Sequence, residues 1–345
     1  MRQGRVKRSG GCLRNPSRRD VLRAAAGLAL GTIAGAASGQ EPEPAGRPAQ
    51  AGSFSDSRPW WLGPQYPRSR VVEIQDARVL VDGRADDVIL ADLIDLGLRV
   101  LTGLPTATEA LQHILGPARR IAVKFNHVDA DRVGTNEAVA RVLTTTLAAA
   151  GYGPDSITLV EAPSGLAGEL QMASPQSGWG PAIRVGGRLE ELANWVYESD
   201  AIINVPFLKA HAIAGMSGAM KNIAYAAIRH PARYHDNGCS PYIGEVIANK
   251  ELSSRLKLTI VTALRVLVDP AGGEEHSNLA DVGRLLFGFD PVALDTVGLE
   301  VLLRLRRDLR VMTRLQAPSV AAAGELGAGR CAAYGIERRP ATLGS

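Results

Sequence analysis

Between residues 119 and 310, short runs of continuously apolar residues alternate with longer amphipathic stretches. Residues 119–125 (RRIAVKF), 156–162 (SITLVEA), 201–208 (AIINVPFL), 257–264 (KLTIVTAL) and 284–290 (RLLFGFD) read as strands. Residues 136–153, 187–199, 217–229 and 291–310 read as helices, the first closed by glycines. A strand that is apolar along its whole length is covered on both faces, as strands are in parallel sheets with helical crossovers. The expected fold is therefore α/β, a mostly parallel, doubly wound, Rossmann-like sheet with helices on both faces in three layers. Ligands of such sheets sit outside the carboxyl ends of the strands. Lys124, Asn126 and His127 fall at the first such end, Glu161 at the second, Lys209 and His211 at the third and Asp290 at the last.

The formal charge of +4 suggests a nucleic-acid partner until its distribution is considered. Residues 1–39 carry eight basic residues and one acid, Asp20, whereas the rest of the chain has 31 basic against 34 acidic residues. The body of the protein is slightly acidic, which removes the electrostatic case for nucleic acid. The basic segment has its own pattern: SRRDVLR, then the apolar AAAGLALGTIAGAAS, then small residues. It reads as a twin-arginine signal peptide over residues 1–39, with export to the periplasm or the cell exterior. Its apolar part is shorter than the roughly 20 residues that span a bilayer, so no stable transmembrane segment is expected after cleavage. Residues 40–69, rich in Pro, Gly, Ser and Arg, read as a linker, and residues 70–345 as one α/β domain. Export by this route implies the twin-arginine machinery as a partner.

Only six of the 39 basic side chains are lysines, so arginine supplies the surface charge and each lysine asks for a reason. Three of the six stand in segments shaped like sites: Lys124 in VKFN, Lys209 in LKAH and Lys221 in MKN. Around the last, HAIAGMSGAMKN sets Gly215, Ser217 and Gly218 just before a helix start. Glycines admit close approach of a ligand to the backbone, and the free N–H groups of a helix start favour an anion. The segment lacks the GxxxxGK[ST] order of a Walker A loop. An ordinary Ser-Gly helix start with solvated lysines would look the same.

The segments VKFN, NVPFLKAHAIAGMSGAMKN, HPARYHD and DPVALDTVG together resemble, in order over residues 119–300, the motifs of the domain of unknown function 362 family. That resemblance implies no defined activity. Its association with ferredoxin modules implies a separate ferredoxin-type redox partner for some members. The chain departs from the family pattern at Phe125 and Phe207, and at Thr262–Leu264, where an Asp-containing segment is usual. With three cysteines and no CxxC, the chain has no iron–sulfur cluster motif of its own. Cys239 and Cys331 remain after removal of the leader and allow one disulfide.

The expected site is a basic, glycine-lined pocket for a small carboxylate- or phosphate-bearing metabolite. Lys209, His211, Lys221 and Asp295 are the candidate catalytic groups, with His211 as acid/base and Asp295 as second proton carrier. Lys124, Asn126, Asn204, Gly215, Ser217, Gly218 and Asn222 are the candidate ligand-binding residues. The asparagines serve equally well to tie loops through side-chain hydrogen bonds. Asp290 followed by Pro291 has the chemistry of a helix cap. A divalent metal on His230, His235 and Asp236 is a further expectation, since imidazole and carboxylate suit zinc or iron. The same pocket suits an enzyme or a binding or redox-accessory protein without turnover.

Overall fold

The computed structural model describes residues 58–269 and 278–344. The expected signal peptide and the first part of the expected linker lie outside the described residues. Nine strands form the main sheet: β1 (Ser69–Gln75), β2 (Ile121–Phe125), β3 (Ile157–Val160), β4 (Ala201–Val205), β5 (Phe207–His211), β6 (Gly215–Ser217), β7 (Leu256–Leu267), β8 (Leu279–Gly288) and β9 (Ile336–Ala341). The order across the sheet is β9-β1-β8-β7-β4-β2-β3, with β5 beside the distal half of β7 and β6 paired to β5. Pairing is mostly parallel: β2 lies parallel to β3 and β4, β7 to β4 and β5, and β1 to β9.

Alternation of side chains along these apolar strands feeds two separate cores. Ile121, Val123, Ile203 and Ile260 point to one face, where they meet helices α1 (Asp87–Thr102), α2 (Ala107–Leu115) and α3 (Asn136–Ala149). Ala122, Ile202 and Val261 point to the other, against α4 (Ala219–Ala227), α5 (Tyr242–Ala248), α6 (Pro291–Asp308) and α7 (Pro318–Glu325). This is the three-layer α/β arrangement expected of strands covered on both sides.

Three departures have local causes. Residues 187–199 are not one helix: Gly186 and Gly187, with φ of 58° and 75°, make a two-residue turn that pairs Trp179–Val185 with Arg188–Ala193. Helix begins only at Asn194. A Gly-Gly pair with positive φ at both positions suits a hairpin turn, and this outweighs the helical spacing of the apolar residues. Second, the apolar run 201–208 breaks at Pro206, which has no N–H to give the ladder. Pairing with β7 jumps there from Thr259 opposite Asn204 to Thr262 opposite Phe207, so Lys209 and His211 ride on β5 rather than ending β4. Third, β8 runs antiparallel to β7 and to β1. Asp290 therefore leaves the sheet at the end opposite the carboxyl ends of the parallel strands.

Residues 58–69, the described part of the Pro/Gly/Ser/Arg-rich stretch, are packed on the domain. Trp61 is buried and its indole donates to Ala328 O at 3.0 Å, while Trp60 donates to Leu256 O at 3.0 Å. Among the described residues, no helix is long and apolar enough to cross a membrane.

Candidate functional site

The carboxyl ends of β2 and β4 face the first turn of α4, and a buried polar chain joins them. Lys124 Nζ donates to Phe125 O, to Glu161 Oε2 at 3.0 Å and to Asn222 Oδ1 at 2.9 Å. Asn222 donates in turn to Asn204 Oδ1 at 2.8 Å, and Asn204 to Ala219 O at 2.8 Å. Asn126 accepts from Phe207 N at 2.8 Å, fastening the start of β5 to the end of β2. An ammonium has three donors, and all three of Lys124's are taken. Burial pulls the pKa of Lys124 down to about 8, against the attraction of Glu161. Lys124, Asn126, Asn204 and Asn222 thus hold the framework and leave little for a ligand.

The helix start expected to receive an anion is already occupied by one of the protein's own. Asp295, from α6, accepts from Ala219 N at 2.5 Å and Met220 N at 2.9 Å and caps α4 from a distance in sequence. A Cβ on Gly218 would stand 2.3 Å from Asp295 Oδ1, and one on Gly215, where φ is 79°, would stand 1.8 Å from Gln316 O. The glycines make room for the chain itself, not for a ligand. Ser217 is buried in β6 opposite Lys209. Asp295 is also buried, and burial raises its pKa to about 7 in spite of the two N–H donors. It anchors the helix that carries Lys221 and Asn222. Asp290 is a cap as well: it accepts from Val292 N, Ala293 N, Arg330 N and Ser69 Oγ.

Beside this framework stands a cationic cluster around His211, with Lys209 buried and Lys221 and His211 partly buried. Lys209 Nζ donates to Val128 O at 2.9 Å and Asp129 Oδ2 at 2.8 Å. Lys221 Nζ lies 4.6 Å from the centroid of the Tyr225 ring, and no hydrogen-bond acceptor from the described residues reaches it. Burial holds its pKa below the usual lysine range, with Cys239 and Glu161 opposing and Lys209 adding to the depression. The charges of Lys221 and Lys209 also act on His211, and that of Lys221 on Lys124, so the three ammonium groups approach one region from separate parts of the chain.

The two imidazoles of this region are fixed in opposite senses. His211 Nδ1 accepts from Ile213 N at 3.2 Å and Ala214 N at 3.1 Å, which leaves the proton of the neutral ring on Nε2. Burial first, then Lys221, Lys209 and His235, bring its pKa down to about 4. His235 Nδ1 lies 3.1 Å from Pro231 O, which can only accept, so Nδ1 carries the proton and Nε2 a lone pair. Burial and Lys221 lower its pKa too. The rings stack with centroids 6.0 Å apart, and Tyr225 packs edge-on to His235 at 5.1 Å.

His230, His235 and Asp236 do not converge as metal ligands. His230 Nδ1 is 3.1 Å from Glu190 Oε1, Asp236 accepts from Tyr242 OH at 3.0 Å, and His235 faces His211. Among the described residues, no group of three or more His, Cys, Asp or Glu side chains is arranged to hold a metal ion. Pro231 and the short helical turns after it send the three side chains apart. Cys239 and Cys331 are free thiols.

Two further groups complete the rim. Glu161 takes a left-handed φ of 52° at the end of β3 and pairs with both Lys124 and His127, whose Nδ1 is 2.6 Å from Glu161 Oε2. Burial pushes the Glu161 carboxyl up, but Lys124 and His127 together outweigh it and leave it below the ordinary range. Asp129, also left-handed at φ 68°, neutralises Lys209. Glu161 and His127 were visible as polar residues at strand ends. Asp129 has no sequence signal beyond its nearness to them.

The model of a family described as a domain of unknown function (DUF362) matches residues 182–300. This covers β4 to the first half of α6 and includes Lys209, His211, Lys221, His235 and Asp295. It does not reach Lys124. No curated protein matches the chain. Among solved structures, the lactate racemase apoprotein from Thermoanaerobacterium thermosaccharolyticum is similar with a TM-score of 0.34 and 12% identity, over 62% of this chain and 53% of that one. A protein from Thermotoga maritima is similar with a TM-score of 0.35 and 13% identity, over 72% of this chain and 60% of that one. The chain thus spans little more than half the length of either.

Proposed function

We propose that the chain is an enzyme that binds a small carboxylate- or phosphate-bearing metabolite at Lys221 and transfers a proton on it with His211 and His235. The observation that carries this reading is the Lys221 ammonium, partly buried and without an acceptor among the described residues, beside two neutral imidazoles of opposite tautomer. A partly desolvated cation with no hydrogen-bonded acceptor among the described residues favours an anionic ligand. His211 offers an N–H and His235 a lone pair, one donor and one acceptor for a bound acid. Lys209 is neutralised by Asp129 and supports the field rather than gripping the ligand. The N-terminal pattern extends the proposal to export by the twin-arginine route.

The test uses calorimetric titration of small carboxylates and inorganic phosphate, with NMR detection of solvent deuterium entering the bound acid. Lys221→Met is expected to abolish binding, and His235→Asn to leave binding and abolish exchange. If some anion binds through Lys221 but no exchange is ever seen, the non-catalytic accessory role replaces the enzyme. If Lys221→Met binds as tightly as the native protein, the site is misplaced.

A further inference from the structure

A cavity of about 390 Å³ opens on the side of His211 formed by the segment after α6. Its wall includes His211, Gly215, Asp269, Arg306, Arg314 and Gln316. This is the size range of a small-metabolite pocket. The backbone of Gln316, in this wall, rests directly on Gly215 of β6.

Two of the cavity's lining side chains carry guanidinium groups. Arg306 is only 4% exposed, and its guanidinium donates to Val268 O, Thr313 O and Thr313 Oγ1, all neutral acceptors. Arg314 is exposed at the rim. Among the described residues, neither arginine forms an ion pair. Two guanidinium groups stand in the wall with one carboxylate, Asp269, which has an interaction of its own. A guanidinium taken out of water and held by neutral carbonyls keeps its charge and still attracts an anion.

We propose that this cavity receives a second anionic group of the same ligand, so that the substrate is a small dianion bridging Lys221 and the arginines across His211. The inference rests on the proposed function, since it takes Lys221 as the first anchor. His211 is the shared element: it lines the cavity, and its ring stacks on His235 at 6.0 Å, which packs at 5.1 Å on the Tyr225 ring that Lys221 covers at 4.6 Å. A dicarboxylate or phosphocarboxylate fits this chemistry, with the atom to be protonated or deprotonated lying between its charged ends.

The test compares monocarboxylates (acetate, propionate, butyrate) with the dicarboxylates from malonate to adipate by calorimetry, on the native protein and on Arg314→Ala and Lys221→Met. Arg314 is exposed, so its replacement leaves the fold intact. One dicarboxylate is expected to bind about tenfold or more tighter than the monocarboxylates, as a charge-assisted contact supplies. Arg314→Ala should reduce that advantage severalfold, with Arg306 still in the wall. If dicarboxylates bind no better than monocarboxylates, or their advantage is undiminished in Arg314→Ala, the second anchor is wrong while Lys221 stands. If Lys221→Met changes nothing, the first anchor fails and this inference falls with it.

Discussion

The role of Asp295 offers the sharpest test of how the site is built. Its carboxylate accepts from Ala219 N and Met220 N inside the protein and so fixes the first turn of the helix bearing Lys221 and Asn222. Asp295→Ala strands both donors away from water at about 1–3 kcal/mol each, so the loss of stability is about 4 kcal/mol. Asp295→Asn keeps an oxygen for one donor and removes the buried charge. Burial raises the pKa of Asp295 from 3.8 to about 7, so the folded state holds a proton that the unfolded state has released. The stability from that protonation is fully present below the unfolded value and is lost as pH rises through the folded one. Between pH 5 and pH 8 the native protein should therefore lose about 3 kcal/mol relative to Asp295→Asn, from a folded pKa of about 7. Urea unfolding of the two proteins at both pH values measures this directly, and the comparison cancels every other titrating group. A difference between them that is independent of pH would refute the claim that burial outweighs the two N–H donors at this carboxyl.

Other perturbations probe the same framework. Lys124→Met takes a donor from Glu161, which keeps His127, and from the buried Asn222, and should cost about 1–3 kcal/mol in denaturant unfolding, as leaving a buried acceptor unsatisfied does. Gly215→Ala puts a Cβ where Gln316 O stands and imposes φ of 79° on alanine, so a large drop in melting temperature and a loosened cavity wall are expected. Anion affinity should fall on the alkaline side earlier than for an exposed lysine, since burial lowers the pKa of Lys221 and its ammonium is lost as pH rises through that lowered value. Acidification from about pH 7 to pH 5 should add no affinity through His211, whose pKa near 4 keeps it neutral across that range. Calorimetric titration across pH checks both.

The fold was legible in the sequence because its strands are apolar on both faces, and Ile121, Ala122 and Val123 supply alternate cores without further information. What pattern could not show was direction. A strand such as 284–290 reads the same whether it runs with or against its neighbour, and only pairing shows that β8 is antiparallel and carries Asp290 away from the site. The candidate site divides in the same way. Scarcity of lysine singled out residues whose ammonium groups act on one region of the fold, since it depends on composition alone. The separation of framework from ligand contact depends on who else arrives there: Asp295, 74 residues beyond Lys221, fills the helix start that Gly218 seemed to hold open, and Pro231 O sets the tautomer of His235. An anion site at a helix N-terminus is a local motif, but its vacancy is a tertiary fact. Because the backbone N–H groups of that helix start are used up in holding the scaffold, the ligand contacts proposed above fall to the side chains of Lys221 and, across His211, of Arg306 and Arg314. Recognition of that kind fixes the distance between two anionic groups rather than the shape of one, which is why the length of a dicarboxylate is the variable that discriminates.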